Sequence, residues 1–235
     1  LFGTQWRPAN DLYGILPMIV GSIYVTAGAL VIGVPIGILT AVFMARFCPP
    51  WLYKIMKPAT NLMAGIPSVV YGFFGLVILV PFVRDTFGGR GVSLLTASIL
   101  LGLMILPTII SMSEASIRAV PQSYYEGGLA LGASHERSVF FTVVPAAKSG
   151  IFASVVLGVG RAIGETMAVM MVAGNQTVIP EKITDGVRTL TTNIVMEMGY
   201  STDLHREALI ATAVVLFVFI LIINLSFSLL KRRSK

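Results

Sequence analysis

The sequence has little charge and few residues that bind metals or form disulfides. Only 12% of its 235 residues are charged, about half the share of a typical soluble domain. It contains a single cysteine, Cys48, and two histidines. An intrachain disulfide is therefore excluded, and no metal site is expected. A water-soluble enzyme built on charged or metal-binding side chains is not supported.

The chain also lacks the signatures of an enzyme. No G-x-x-x-x-G-K-[ST] P-loop occurs in the sequence, so we expect this chain to bind no ATP and no other cofactor by itself. His135 and Glu136 begin an H-E-x-x-H pattern, but Val139 stands where the second histidine belongs. No nucleophile–base spacing falls within the apolar segments. The chain is therefore predicted not to be catalytic.

The sequence is dominated by long apolar runs. Hydrophobic residues make up 55% of it, and its mean hydropathy is +0.85. A membrane helix needs about 20 mainly apolar residues. The sequence predicts an all-α membrane protein, a single domain over residues 1–235 that contacts lipid through a bundle of five transmembrane helices. The predicted spans lie at about 13–44, 60–82, 94–115, 149–174 and 207–230.

The basic residues indicate how the bundle is oriented. Lysine and arginine outnumber aspartate and glutamate in 45–59, in 116–148 and in the C-terminal tail. The segments expected on the opposite side of the membrane contain both basic and acidic residues. Cytoplasmic loops of membrane proteins carry this excess. We therefore expect a multi-pass protein of a prokaryotic cytoplasmic membrane, with a cytoplasmic C-terminus and 175–206 as an external loop. The net charge of +6 is interpreted as orientation rather than as binding of nucleic acid.

Two further expectations depend on this orientation. The N-terminus lies outside and the chain starts at Leu1 without a methionine, so we expect one more helix upstream. His205 stands alone near the outer interface, where we expect it to be solvated.

The loop 116–148 carries a pattern of small residues. Ser123 is a plausible helix cap, with Glu126 three residues later in the capping-box position, and a helix over about 124–135 follows. Its small side chains leave a face with little bulk, suited to close docking by another protein. The alternative is a surface connector that lies on its own bundle.

This loop resembles the EAA loop of ABC-importer permeases. Glu126, Gly127 and Gly128 are followed by Gly132 and then by "TVVP" at 142–145 at the family's spacing. The resemblance implies a type I ABC-importer permease core that lacks the first family helix, with a coupling helix that docks on an ATP-hydrolysing partner. The residues implied in that contact are Tyr125, Glu126, Gly127, Gly128, Ala130, Gly132, Ala133 and Ser134.

Arg161 and Glu165 are charged residues within the fourth apolar run. Residues four apart share one face of a helix, so we expect these two to form an ion pair. The pair is either a packing device that fixes helix register or part of a polar solute path, in which Arg161 binds an anion. Gly160 and Gly164 have the spacing of a close helix contact. Ser68 and Thr166 are secondary path candidates, with helix packing as the alternative.

The stretch "GRAIGETMAV" at 160–169 resembles the phosphate-importer permeases of the PstC and PstA pair, and "YGILPMIVGSIYVT" at 13–26 is more similar to PstC. The resemblance covers essentially the whole chain. It implies a phosphate permease that pairs with a PstA-like second permease subunit. It further implies two ATPase subunits, which bind ATP and magnesium, and an extracytoplasmic phosphate-binding protein.

Two other functions stay open at this point. One is a permease of the same superfamily for another oxyanion, such as sulfate or molybdate. The other is a channel or secondary transporter that runs without ATP, for which an inverted repeat would be expected. The EAA-like spacing argues against the second.

Overall fold

The protein is helical almost throughout, as predicted. A computed structural model describes residues 3–233, and the side chains of residues 3–226. A two-stranded antiparallel hairpin, β1 (Trp6–Arg7) and β2 (Leu12–Tyr13), precedes the first helix. The helices are α1 (Leu16–Phe47), α2 (Pro50–Gly65), α3 (Ser68–Phe87), α4 (Leu94–Arg118), α5 (Gln122–Ala130), α6 (His135–Ala146), α7 (Lys148–Gly164), α8 (Met167–Val172), α9 (Leu190–Glu197) and α10 (Asp203–Arg233).

Within the described part of the chain, four helices are long and apolar enough to cross a membrane: α1, α3, α4 and α10. Helices α6 and α7 meet at a bend of 68° and pass the same test together. A spanning segment must satisfy its backbone hydrogen bonds internally, which a helix does. The structure therefore has up to five candidate spans, in agreement with the predicted five-helix bundle.

The second predicted span, 60–82, is divided into two helices. Ile66 and Pro67 both have extended backbone angles between α2 and α3. The conformation of Ile66 follows from its position before a proline, where the helical region is disfavoured. The hydroxyl of Tyr71 donates a hydrogen bond to the carbonyl of Met63 at 3.0 Å. This bond joins the two helices across the break.

Helix α4 is the centre of the bundle. It packs along α1 and α7, and most of its apolar part is buried, whereas most of the apolar part of α10 is exposed. Leu100, Leu101, Met104, Ile105 and Ile109 are fully or almost fully buried on it. Lipid tails are as apolar as these side chains, so close packing rather than exclusion of water is expected to hold the helices together. The exposed apolar faces of α1, α3 and α10 remain for lipid or another subunit.

The segments around the start of α10 are tied together by one carboxylate. Glu197 accepts hydrogen bonds from the Trp6 indole at 2.9 Å and from Arg188, and His205 Nε2 lies 2.8 Å from its Oε2. His205 also stacks on Tyr13, with the ring centres 5.8 Å apart. The expectation that His205 is merely solvated is therefore wrong. These contacts fasten the β-hairpin and the 175–206 segment to α10.

Candidate transport site and coupling helix

The fourth predicted span, 149–174, is interrupted at the charged residues. Helix α7 ends at Gly164, and Glu165 has extended backbone angles of φ −71° and ψ 128°. Helix α8 then covers only Met167–Val172. A helix can break inside a membrane only where neighbouring groups satisfy the freed backbone. Here the hydroxyl of Thr191 donates to the carbonyl of Glu165 at 3.2 Å.

The break separates Arg161 from Glu165. The guanidinium of Arg161 donates one long hydrogen bond, 3.5 Å to the Thr108 hydroxyl, and no carboxylate among the described side chains lies within 4.0 Å of it. The predicted ion pair is therefore wrong, because the i, i+4 spacing has this meaning only in a continuous helix. Arg161 is left as a half-buried cation in a candidate span.

Glu165 acts as a helix cap in the structure. Its Oε1 accepts a hydrogen bond from the Ala168 amide at 3.1 Å, in the first turn of α8. Such an acceptor satisfies one of the amides that a helix start leaves free. No described residue is bonded to Oε2 of Glu165. One carboxylate oxygen thus holds α8, and the other is available.

The two hydroxyl candidates lie at helix starts beside the break. Ser68 begins α3 directly after Pro67 and is half-buried. The hydroxyl of Thr166 donates to the Gly164 carbonyl at 3.3 Å. Helix α3 packs against α8. The structure therefore gathers Ser68, Arg161, Glu165 and Thr166 around neighbouring helices, although it shows no bond between them.

One face of α7 is open next to Arg161. A Cβ added to Gly160 or Gly164 would meet no atom within 4 Å, whereas at Gly158 it would touch Ile109. The close helix contact predicted at Gly160 and Gly164 is therefore not made by any described part of this chain. Leu157 on this face is also exposed.

The helix predicted in the cytoplasmic loop exists but is shorter. Helix α5 covers Gln122–Ala130 instead of 124–135, and Ser123 lies inside it without capping it. None of its residues is fully buried. The hydroxyl of Tyr125 forms a hydrogen bond of 2.8 Å with Nδ1 of His135, which holds the helix on α6. Tyr125 thus faces its own chain, whereas Glu126, Gly127 and Ala130 are exposed.

The remaining predicted coupling residues form the turn between α5 and α6. Gly132 has a φ of +82°, a left-handed conformation that glycine adopts without strain. The amide of Ala133 donates to the Gly128 carbonyl at 3.1 Å. Ser134 caps α6 by accepting from the Arg137 amide at 3.3 Å. A backbone amide and the Ser134 hydroxyl lower the pKa of Glu136 at this helix start.

Sequence reasoning missed a buried carboxylate at the end of α4. Glu114 is 1% exposed and bonds to Tyr53, Lys57 and Arg118 at 2.7–2.8 Å. The hydrogen bond to Glu114 raises the pKa of Tyr53. The spacing of Glu114 and Arg118 is i, i+4, a signal visible in the sequence, whereas the contacts to α2 are not.

Residues 33–235 match the family described as "Binding-protein-dependent transport system inner membrane component". The chain belongs to this family. The permease is 43% identical to the "Probable ABC transporter permease protein YqgH" of Bacillus subtilis (strain 168), over 95% of this chain and 75% of that protein. It is 34% identical to the "Phosphate transport system permease protein PstC" of Xylella fastidiosa (strain Temecula1 / ATCC 700964), over 92% and 73% of the two chains.

Solved structures of similar fold are also transporter chains. A structure of the MetNI methionine ABC transporter in inward-facing conformations matches with a TM-score of 0.70 at 21% identity, over 98% of this chain and 100% of that chain. At this identity the likeness concerns the fold alone. Together with the family, it makes the chain a membrane-spanning permease subunit of an ABC importer. The alternative of a channel or secondary transporter is left without support.

Proposed function

We propose that this permease forms half of the path of an ATP-driven phosphate importer in a prokaryotic cytoplasmic membrane. Its partners are a PstA-like permease subunit, two subunits that bind ATP and magnesium, and an extracytoplasmic phosphate-binding protein. Relatives named PstC, at 30–34% identity over most of the chain, support both the phosphate specificity and the PstC-like role. The C-terminus is assigned to the cytoplasm.

Arg161 is the observation that carries this proposal. Arg161 lies in the last turn of α7, beside the break inside a candidate span, and no described carboxylate pairs with it. An unpaired charge within a membrane is unfavourable, by about 2.5–3.5 kcal/mol for an arginine at the centre of a spanning helix on insertion scales. An anion about 4 Å away contributes on the order of 4 kcal/mol per charge at an effective dielectric of 20. Arg161 can therefore bind an oxyanion as it crosses the membrane. The open face at Gly160 and Gly164 supports a path shared with a second permease subunit.

Glu165 supplies a means of telling phosphate from sulfate. Its Oε2, which has no partner among the described residues, can accept a hydrogen bond from the P–OH group of hydrogen phosphate. Sulfate has no such proton at neutral pH and would be repelled. A site that pairs with a substrate's polar hydrogen rejects the analogue that lacks it. Ser68 and Thr166 contribute neutral hydrogen-bonding groups to the same path.

A polar cavity on the side opposite the coupling helix suits the binding protein. It has a volume of about 590 Å³ and lies between the 83–93 and 175–206 segments. Arg90 and Lys182 line it, together with Gln176 and Thr184. We assign these segments to docking of the loaded binding protein. At the other end, the exposed helix α5 and its turn at Gly132 dock on the ATPase.

The experiment is labelled-phosphate uptake by the assembled complex in proteoliposomes. Arg161→Gln is expected to reduce uptake by tenfold or more (about 1.4 kcal/mol or more) while assembly and ATP hydrolysis are retained. Arg161→Lys, which keeps the charge, is expected to retain much of the uptake. Arg7→Gln, on the exposed β-hairpin, is the matched control and is expected to behave as wild type.

Two results would contradict the proposal. Normal uptake by Arg161→Gln would make Arg161 a packing residue. Wild-type uptake that is abolished by a small excess of sulfate or molybdate, with no preference for phosphate, would assign the permease to another oxyanion.

A further inference from the structure

The buried Glu114 near the end of α4 joins this helix to α2. Its Oε1 accepts from the Tyr53 hydroxyl at 2.7 Å and from Arg118 Nε at 2.8 Å, and its Oε2 accepts from Lys57 Nζ at 2.7 Å. Tyr53 and Lys57 belong to α2, whereas Arg118 is in the last turn of α4 itself. The carboxylate therefore fixes α2 to the central helix of the bundle.

Two arginines extend this cluster to the coupling helix. Arg118 donates to the carbonyl of Met44, in the last turns of α1, at 2.9 Å, and its guanidinium lies 4.6 Å from the centre of the Tyr53 ring. Arg46 donates to the Ile117 carbonyl at 3.2 Å and to the Gln122 side chain at 3.4 Å. Gln122 is the first residue of α5. The start of the coupling helix is thus held by the ends of α1 and α4.

In the other direction, α2 leads to the candidate path. Its end is tied to α3 by the hydrogen bond from Tyr71 to the Met63 carbonyl. Helix α3, which carries Tyr71, packs against α8, the helix that follows the break after Arg161 and Gly164. Polar contacts and packed helices therefore lead from Gln122 through Glu114, α2 and α3 to the neighbourhood of the break.

The burial of Glu114 makes this connection stiff. A buried carboxylate that loses one of its cations leaves an uncompensated charge, which is strongly unfavourable. The segments that these bonds connect, namely the ends of α1 and α4, the start of α5 and the first half of α2, are therefore expected to move together. Coupling between distant sites is carried by such networks when a rigid element links them.

We propose that Glu114, through Lys57 and Arg118, is the positioning residue that transmits movement of the coupling helix α5 to α2 and so to the Arg161 path. This inference rests on the ATP-driven transport proposed above. A purely structural role for Glu114 would stabilise the helix ends without linking the two sites.

Substitutions of Lys57 are expected to disturb the fold less than substitutions of Glu114. When Lys57 is changed, Glu114 still accepts hydrogen bonds from Tyr53 and Arg118. In a Cys48→Ser background, Ser68→Cys carries an environment-sensitive bimane label. The emission change between the nucleotide-free and vanadate-trapped complex in nanodiscs reports movement at the path.

The variants are Lys57→Gln, Lys57→Arg and Glu114→Gln. The matched control is Lys54→Gln, since Lys54 is exposed on the same helix and has no bond to another described residue.

We expect Lys57→Gln and Glu114→Gln to reduce the nucleotide-dependent emission change by about fivefold or more, the lower end of ordinary coupling between sites. In the same variants with Ser68 unchanged and unlabelled, ATP hydrolysis is expected to fall much less than the emission response, so that fewer phosphate ions are imported per ATP. Lys57→Arg is expected to restore the response, and Lys54→Gln to behave as wild type.

Three results would overturn the inference: a wild-type response in Lys57→Gln, an equal loss of response in Lys54→Gln, or a fall in ATP hydrolysis by the same factor as the response. The label needs no transported solute. If the labelled complex responds to nucleotide while the unlabelled wild-type complex imports no phosphate, the result therefore contradicts the proposed substrate alone.

Discussion

The non-helical residues Glu165 and Thr166, between α7 and α8, determine which groups Arg161 and Glu165 can contact. With Glu165 extended, its carboxylate turns to the amide of Ala168 and away from the arginine. The two charged residues then have separate roles. Arg161 has no acidic partner among the described side chains, whereas Glu165 caps α8 with one carboxylate oxygen and has no described partner for the other. Discontinuous helices with this arrangement line substrate sites in many transporters.

Variants of Glu165 separate capping from recognition of the phosphate proton. Glu165→Ala removes the acceptor for the Ala168 amide and is expected to lower the stability of the permease by about 0.5–2 kcal/mol, the usual worth of a cap. Glu165→Gln keeps an acceptor oxygen and is expected to change stability less, but to weaken the preference for phosphate over sulfate. Thermal unfolding in detergent and uptake in competition with sulfate measure the two effects. Unchanged selectivity in Glu165→Gln would leave Glu165 with the structural role only.

At the scale of elements, the coupling helix is fitted closely to α6 at one position. Gly128 faces Ser138, and a Cβ at Gly128 would lie 2.3 Å from the Ser138 hydroxyl oxygen. That hydroxyl donates to the Tyr125 carbonyl at 2.8 Å, so it is not free to move away. At Gly127 a Cβ would meet nothing within 4 Å. The two adjacent glycines, both alanine in the EAA pattern, are thus not equivalent.

Alanine substitutions at these glycines form a matched pair. Gly127→Ala is expected to leave coupling intact and to favour the helix by about 0.5–1 kcal/mol, because alanine loses less backbone entropy than glycine. Gly128→Ala is expected to displace α5 from α6 and weaken binding of the ATPase subunit. Co-purification of the ATPase and ATP hydrolysis are the measurements. Ser138→Ala, which removes the blocking oxygen, is expected to restore part of the loss, and equal behaviour of the two alanine variants would contradict this account.

At the scale of the whole molecule, polar clusters mark the two ends of the bundle. Glu114 gathers Lys57, Arg118 and Tyr53 at the coupling-helix end, and Glu197 gathers Arg188, His205 and Trp6 at the other. The apolar spans lie between them. This separation is what a membrane requires, since charged groups are tolerated at its faces and costly at its centre.

The orientation of the bundle is tested by labelling single cysteines in a Cys48→Ser background. Lys182→Cys, in the 175–206 segment, is expected to react with a membrane-impermeant maleimide in intact cells. Ser123→Cys, on the exposed coupling helix, is expected to react only after the membrane is opened. The reverse pattern would invert the topology assigned from the basic residues. Denatured protein labelled at both positions serves as the control for reactivity.

The sequence by itself determined the class of fold, and it predicted apolar spans and a short helix at the EAA-like pattern, of which the described chain shows four or five candidate spans and the helix Gln122–Ala130. Lipid imposes a minimum length on apolar helices, and the EAA-like spacing is a local pattern, so neither depends on distant contacts. Helix α5 is shorter than predicted because the chain turns at Gly132, whose φ of +82° is incompatible with continuing the helix beyond Ala130. The bonds from Tyr125 and Ser138 that hold it on α6 are contacts that spacing does not reveal.

Only the tertiary structure decided the surroundings of the charged groups. The break is stabilised by a hydrogen bond to Glu165 from Thr191, 26 residues further along the chain, and Glu114 meets Lys57 across 57 residues. His205 is enclosed by the β-hairpin near the N-terminus. A periodic pattern predicts which residues share a face of one continuous helix. The partner of a buried charge instead depends on how helices that are distant in sequence pack against each other. The candidate site residues could therefore be named from the sequence, but not their partners.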